Sequence, residues 1–165
     1  MLIHDPVHKT VILDEFEQML VNTRHVQRLR NIQQLGLVDN VYPGANHTRF
    51  EHSIGTMHMA SVIGRSLELE DEDIRKIRLA GLLHDVGHPA FSHVVEGVLK
   101  RDISLRPVID GVHFIRHEAF TRQIISQHLP EDRTIAGYVE KEFDTEPHVF
   151  FKEISKIATG DTSQL

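Results

Sequence analysis

His84-Asp-Val-Gly-His88-Pro-Ala-Phe-Ser-His93 comes directly after an amphipathic stretch, and its reading decides how the rest of the chain is read. Upstream, Ile74–Val86 places Ile74, Ile77, Gly81 and His84 at helical spacing on one face. Gly87 and Pro89 predict a sharp stop, because glycine closes helices and proline cannot continue one. Neighbouring residues on a helix point about 100° apart. His84 and Asp85 therefore face one cavity only if it lies at the helix end. Free carbonyls already make that end negative, so a carboxylate there is destabilised unless a divalent cation reverses the local sign. Imidazole with carboxylate suits manganese, iron, nickel, zinc or magnesium. His52 is the natural third ligand. It lies near the start of a preceding helix, Glu51–Leu67, which antiparallel packing brings beside the end of Ile74–Val86.

Outward from this stretch the periodicity stays helical. Met1–Leu13 holds two β-favouring runs around Asp5-Pro6, which reads as a small hairpin or extended arm. Asp14 caps a helix from Glu15 to about Asn22-Thr23. Arg24–Leu35 reads as a helix with Val26, Leu29, Ile32 and Leu35 on its buried stripe and Gly36 as its stop. Leu37–Phe50, with Asp39-Asn40 and Pro43-Gly44, reads as a loop. Glu51–Leu67 reads as a helix carrying Ile54, Met57 and Val62, and Asp71 or Asp73 is expected to cap the next helix. Phe91–Arg101, His117–His128, Glu131–Phe143 and Phe150–Ala158 are further helices, with Ile103–Phe114 irregular around Pro107 and Gly111. The expectation is an all-α bundle forming one domain over residues 1–165, with strand confined to the first 13 residues.

Composition narrows the function. The 165 residues contain no cysteine, which excludes disulfides, thiolate nucleophiles and cysteine-bound zinc. A net charge of −6 argues against nucleic acid as a partner, since that footprint is basic. No apolar run reaches the roughly 18 residues of a membrane span, and no signal peptide opens the chain, so a cytoplasmic location is expected. Histidine is the anomaly: there are 13, six of them at 47, 52, 58, 84, 88 and 93. Histidine is the commonest metal ligand and the usual acid–base group near neutral pH. Competing motifs fail. There is no His-Glu-x-x-His helix, no phosphate-cradling glycine loop, and no Gly-x-Ser-x-Gly elbow around Ser92.

Tyr42-Pro-Gly-Ala-Asn-His-Thr-Arg-Phe-Glu-His52-Ser-Ile-Gly55 together with His84–His93 resembles the HD superfamily of metal-dependent phosphohydrolases. More narrowly, it is similar to the deoxynucleoside triphosphate triphosphohydrolase branch. Asp5-Pro-Val-His8, Gln27-Arg-Leu-Arg30 and Gln34-Leu-Gly36 match that branch in the same order, so the likeness covers roughly residues 3–128. The fold implied is an HD-domain helical bundle, and the substrate implied is a nucleotide, a dNTP first. A phosphodiesterase or phosphomonoesterase of the same superfamily is the related alternative, and a nucleotide- or metal-binding regulatory module is the alternative from another class. A homo-oligomer is compatible with either.

The resemblance implies roles residue by residue. His52, His84 and Asp85 correspond to metal ligands, and Arg49 to an arginine that contacts substrate phosphates. Gln34 and Leu35 correspond to a pair touching the sugar. His88 and His93 correspond to histidines near the α-phosphate, with His93 the proton donor, and Glu96 and His117 to supporting acid–base members. His47, His58 and His128 read as structural or solvated. The chain departs from the family pattern at Lys9 and Pro89, where glycine is common, and at Arg24 and Val26, where proline and phenylalanine are common. The family's fourth ligand is an aspartate in a downstream Asp-x-Asp-Arg/Lys-x-Asp-Tyr stretch that has no counterpart here. Asp144 and Asp161 are the late aspartates available, and nothing in the sequence chooses between them. The expectation is therefore a fragment of a longer protein or a short relative with an incomplete site.

Overall fold

The computed structural model describes residues 1–91, 93–109, 112–113 and 115–160. Ser92, Gly111, Phe114 and Asp161 lie outside the described residues. The chain opens with β1 (Leu2–Asp5) and β2 (Lys9–Ile12), paired antiparallel with Leu2 opposite Ile12 and Asp5 opposite Lys9. Asp5 makes the turn by accepting from the backbone N–H groups of Val7 and His8. Lys9 sits at φ 63°, a left-handed position that explains why glycine suits this place in relatives of the motif.

The remainder is mostly helical: α1 (Glu15–Val21), α2 (Arg24–Gln27), α3 (Arg49–Ser66), α4 (Asp71–Leu83), α5 (His93–Arg101), α6 (His117–Gln123), α7 (Arg133–Phe143) and α8 (Pro147–Thr159). A 3₁₀ turn, Arg28–Asn31, extends α2, and a π-helical turn, Ile124–His128, extends α6. The all-α expectation holds. Asp14 caps α1 in a reciprocal capping box with Glu17, as its sequence position predicts. Phe16, Leu20, Leu29, Ile54, Met57, Leu82, Leu83, Ile125, Phe151 and Ile154 form the buried centre.

Several expectations are corrected. The helix from Arg24 does not reach Leu35. Ile32 turns extended, Gln33 bridges Thr48, and Gln34 N–H donates to the carbonyl of His47. Leu35 is consequently 48% exposed rather than on a buried stripe. Arg49 and Phe50 belong to α3 rather than to the loop, because Thr48 and Glu51 form a capping box that starts the helix ahead of Glu51. Val62, on the same helix, is exposed. α4 begins at Asp71 behind Glu70, so neither Asp71 nor Asp73 caps it, and it ends at Leu83 with His84 as its cap. A second hairpin, β3 (Val108–Ile109) with β4 (Val112–His113), adds strand beyond the first 13 residues.

α3 packs along α4, and their crossing sets the site. A Cβ on Gly81 would lie 3.2 Å from the backbone of Met57 and from the carbonyl of Thr56. The bare glycine thus lets the two backbones touch. His52 lies one turn before Thr56 on α3, and His84 one turn after Gly81 on α4. Antiparallel contact at the glycine brings those two ends together.

Candidate functional site

His52 Nε2 and His84 Nε2 face each other at 3.2 Å. Asp85 completes the group, with Oδ2 3.8 Å from His52 Nε2 and Oδ1 3.4 Å from His84 Nε2. The convergence expected from the sequence is present. Two ring nitrogens cannot meet lone pair to lone pair at that distance; they share either a proton or a cation. His84 Nδ1 lies 2.8 Å from the carbonyl of Gly81, which fixes Nδ1 as the donor and leaves Nε2 as the electron-pair donor. Donor spacings of 3.2–3.8 Å suit atoms arranged about one ion at 2.0–2.2 Å from each. The three residues fit a divalent metal.

Asp85 is the hub. Its side chain is buried, and Arg49 Nη1 donates to Oδ2 at 2.5 Å. His88 Nε2 lies 3.4 Å and His117 Nε2 4.0 Å from Oδ1. Burial by itself raises the Asp85 pKa, but His88 hydrogen bonding and the charges of His84, His88 and Arg49 outweigh it and hold the carboxyl below the ordinary range. His52 and His88 are pushed down chiefly by burial, with Asp85 opposing.

Behind this hub stands a second group. His88 stacks on His117, and His117 Nδ1 donates to Glu96 Oε1 at 2.7 Å. The His117 backbone N–H donates to the same oxygen at 2.9 Å, and His93 Nδ1 donates to Glu96 Oε2 at 3.0 Å. Burial raises the Glu96 pKa, yet these donors outweigh it and bring it down to about 2. Glu96 is therefore a fixed anion holding two imidazoles. The His93 side chain is 69% exposed and presents its ring to solvent.

The turn carrying His84–His88 is held from two sides. Arg28 donates to the carbonyls of Val86 at 3.0 Å and His88 at 2.7 Å. Thr121 accepts from Gly87 N–H and donates to the carbonyl of His84, both at 3.0 Å. Thr121 escapes a sequence reading, since nothing local marks it. Arg28 is visible there only inside the Gln27–Arg30 motif. Gln34 reaches the site through its carbonyl, 3.4 Å from Arg49 Nη2, and its buried Oε1 has no hydrogen-bond partner among the described residues. Asp144 caps α7 in a left-handed conformation and belongs to none of the donor groups among the described residues.

A cleft of about 600 Å³ opens beside His52. One wall is the Asp5–His8 turn and the other is the face of α3 bearing Glu51, Gly55 and Thr56. His47, read from sequence as structural or solvated, lines it as well. That volume lies in the range of small-molecule sites.

A helical bundle whose two antiparallel helix ends pool histidines and an aspartate defines a class of metal-dependent enzymes. Residues 49–157 match the HD domain model, which covers more than half of the chain, and the chain belongs to that family. It is 50% identical over 95 residues to an uncharacterized protein of Methanocaldococcus jannaschii, covering 58% of this chain and 20% of that protein. Deoxynucleoside triphosphate triphosphohydrolase SAMHD1 of Bos taurus is 39% identical over 120 residues, covering 68% of this chain and 20% of its own length. The Homo sapiens protein of the same name is 38% identical over 120 residues, covering 68% and 19%. The chain spans about a fifth of the length of these relatives. No helix among the described residues is long and apolar enough to cross a membrane.

Proposed function

We propose that residues 1–165 form one HD domain carrying the reaction centre of a metal-dependent phosphohydrolase that acts on nucleotides, with a dNTP as substrate and the cytoplasm as its place. The observation that carries this reading is the His52–His84–Asp85 donor group set against a Glu96-anchored pair of histidines. A divalent ion held by the first group, whether manganese, iron, nickel, zinc or magnesium, supplies Lewis acidity toward water and phosphoryl oxygen. The protein's own residues do the rest. Asp85 provides the anionic ligand, kept ionised by its neighbours. Arg49 offers its guanidinium fork to phosphate oxygens. Gln34 and Leu35 flank the sugar, Leu35 from an exposed position. His93, oriented by Glu96, gives a proton to the leaving group, while His117 and His88 hold the surface between the two groups.

The dNTP assignment is supported by the likeness to the two triphosphohydrolases and by the motif order from Asp5 to His93. Incubation with each dNTP and manganese, with chromatography of the products, tests it. Deoxynucleoside and triphosphate released by wild type but not by Asp85→Ala is the expected result. Metal binding without turnover of any nucleotide favours the regulatory-module reading. Release of monophosphate instead favours a phosphodiesterase or phosphomonoesterase relative.

A further inference from the structure

Arg49 opens α3, yet its side chain is only 3% exposed, and its Nη1 donates to Asp85 Oδ2. His52 Nε2 approaches the same oxygen, at 3.8 Å. A guanidinium and the imidazole of a metal-ligand group thus address one carboxylate oxygen, while Oδ1 faces His84, His88 and His117. Charge makes the arrangement consequential. A dication on His52, His84 and Asp85 beside Arg49 gathers three positive charges against the single negative charge of Asp85. Buried charge of one sign is tolerated only when compensated.

We infer that Arg49 couples metal and phosphate binding: its guanidinium competes with a divalent ion for Asp85, and an incoming phosphate relieves the competition by accepting the guanidinium. The inference rests on the metal site proposed above. The planar fork of arginine matches phosphate as well as carboxylate, so the exchange replaces one charge-assisted pair by another. Linkage makes the effect reciprocal: an oxyanion tightens the metal by the factor by which the metal tightens the oxyanion. Arg49 is then more than a phosphate contact. It keeps metal affinity low until the anion that needs the metal has arrived.

The test is manganese titration of the whole chain by calorimetry at constant ionic strength, with and without sulfate. Sulfate serves as the probe because it is a tetrahedral oxyanion that complexes manganese weakly. Arg49→Gln keeps a donor aimed at Asp85 without the charge, and Arg49→Lys keeps the charge. Sulfate is expected to tighten manganese on wild type by about fivefold or more, the lower end of ordinary coupling. Arg49→Gln should bind manganese at least about fivefold more tightly than wild type without sulfate, and sulfate should add nothing. Arg49→Lys, which keeps the charge but not the fork, should bind manganese less tightly than Arg49→Gln and respond to sulfate less than wild type. Manganese that binds wild type equally with and without sulfate overturns the inference and leaves the metal site standing. So does an Arg49→Gln that folds and binds no more tightly. Absence of manganese binding in wild type and both variants overturns the inference and the metal site together. If Arg49→Gln fails to fold, the wild-type sulfate comparison still decides.

Discussion

The ring of His88 lies on the ring of His117 with centres 3.6 Å apart and planes 19° from parallel. One ring comes from the turn after α4 and the other from the first residue of α6. Each also leans on a different carboxylate, His88 on Asp85 and His117 on Glu96. The stacked pair thus links the group around Asp85 to the group around Glu96.

Removing the donor should leave the metal group untouched. His93→Ala is expected to lower kcat by about 10²- to 10⁴-fold, the ordinary worth of a general acid, with manganese affinity unchanged. Glu96→Gln should act in the same direction, because it frees His93 and His117 from their shared anion. Steady-state kinetics beside metal titration separates the effects. A loss of metal binding in His93→Ala would sink the assignment.

Asp85→Asn tests the hub. It removes the anionic ligand and the negative charge facing buried Arg49. Breaking a buried pair in this way costs about 3–5 kcal/mol, so chemical denaturation should show a clear stability loss together with abolished metal binding. Unchanged manganese affinity would contradict the role given to Asp85.

Gly87 stands where two chain segments touch. A Cβ there would overlap the backbone nitrogen of Thr121 and come within 2.6 Å of the His117 carbonyl. Gly87→Ala must push α6 away from the turn, so it should destabilise by more than about 3 kcal/mol, as overpacking against rigid backbone does at its upper end. Thermal unfolding reads this directly. A variant as stable as wild type would mean that the contact is looser than described.

Thr121→Val keeps the shape and removes the hydroxyl that joins Gly87 N–H to the His84 carbonyl. The stranded buried N–H should cost about 1–3 kcal/mol. Because His84 is held through that carbonyl, manganese affinity should fall as well. Thr121→Ser is expected to restore both, and failure of that rescue would show that the methyl group, not the hydroxyl, matters.

His25 sets part of the acid limb of stability. Burial first, then Arg24, His128 and Arg28, push it down from 6.5 to about 4. Between these values the unfolded chain binds the proton and the folded chain does not, so stability falls as pH drops from 6.5 toward 4. His25→Gln removes this contribution. Its Tm against pH should be shallower across that window, though His52, His58 and His88 are depressed too and leave some slope. Superimposable profiles of variant and wild type would refute it.

Legibility in the sequence divides along the range of the interactions. Asp14, with Glu17 three residues on, announces its cap within one turn. The meeting of His52 with His84 and Asp85 is a consequence of two helix ends and an antiparallel packing. The stretch from Ile32 to Leu35 cannot be read locally. Its apolar spacing continues the helix, yet the backbone leaves it to pair with His47 and Thr48, a contact with a segment farther along the chain. The α3 start is legible in principle, since Thr48-x-x-Glu51 is a capping box, but Pro43-Gly44 pulls the reading of the whole stretch toward a loop. The two-residue strands at Val108 and Val112 are too short for alternation to show. Thr121 gains its role only from the turn it touches, 34 residues upstream.

The π-helical turn at Ile124–His128 has a consequence for protein engineering. Such a turn lengthens the backbone ring by one residue relative to an α-helix, which offsets the angular phase of the residues after it from those before it by up to about 100°. Thr121, which donates to the His84 carbonyl, and the buried Leu129 lie on either side of it. Deleting one residue within 124–128 would turn this stretch into regular α-helix and leave both on their present faces, whereas a deletion elsewhere in α6 would rotate one of them away from its partner.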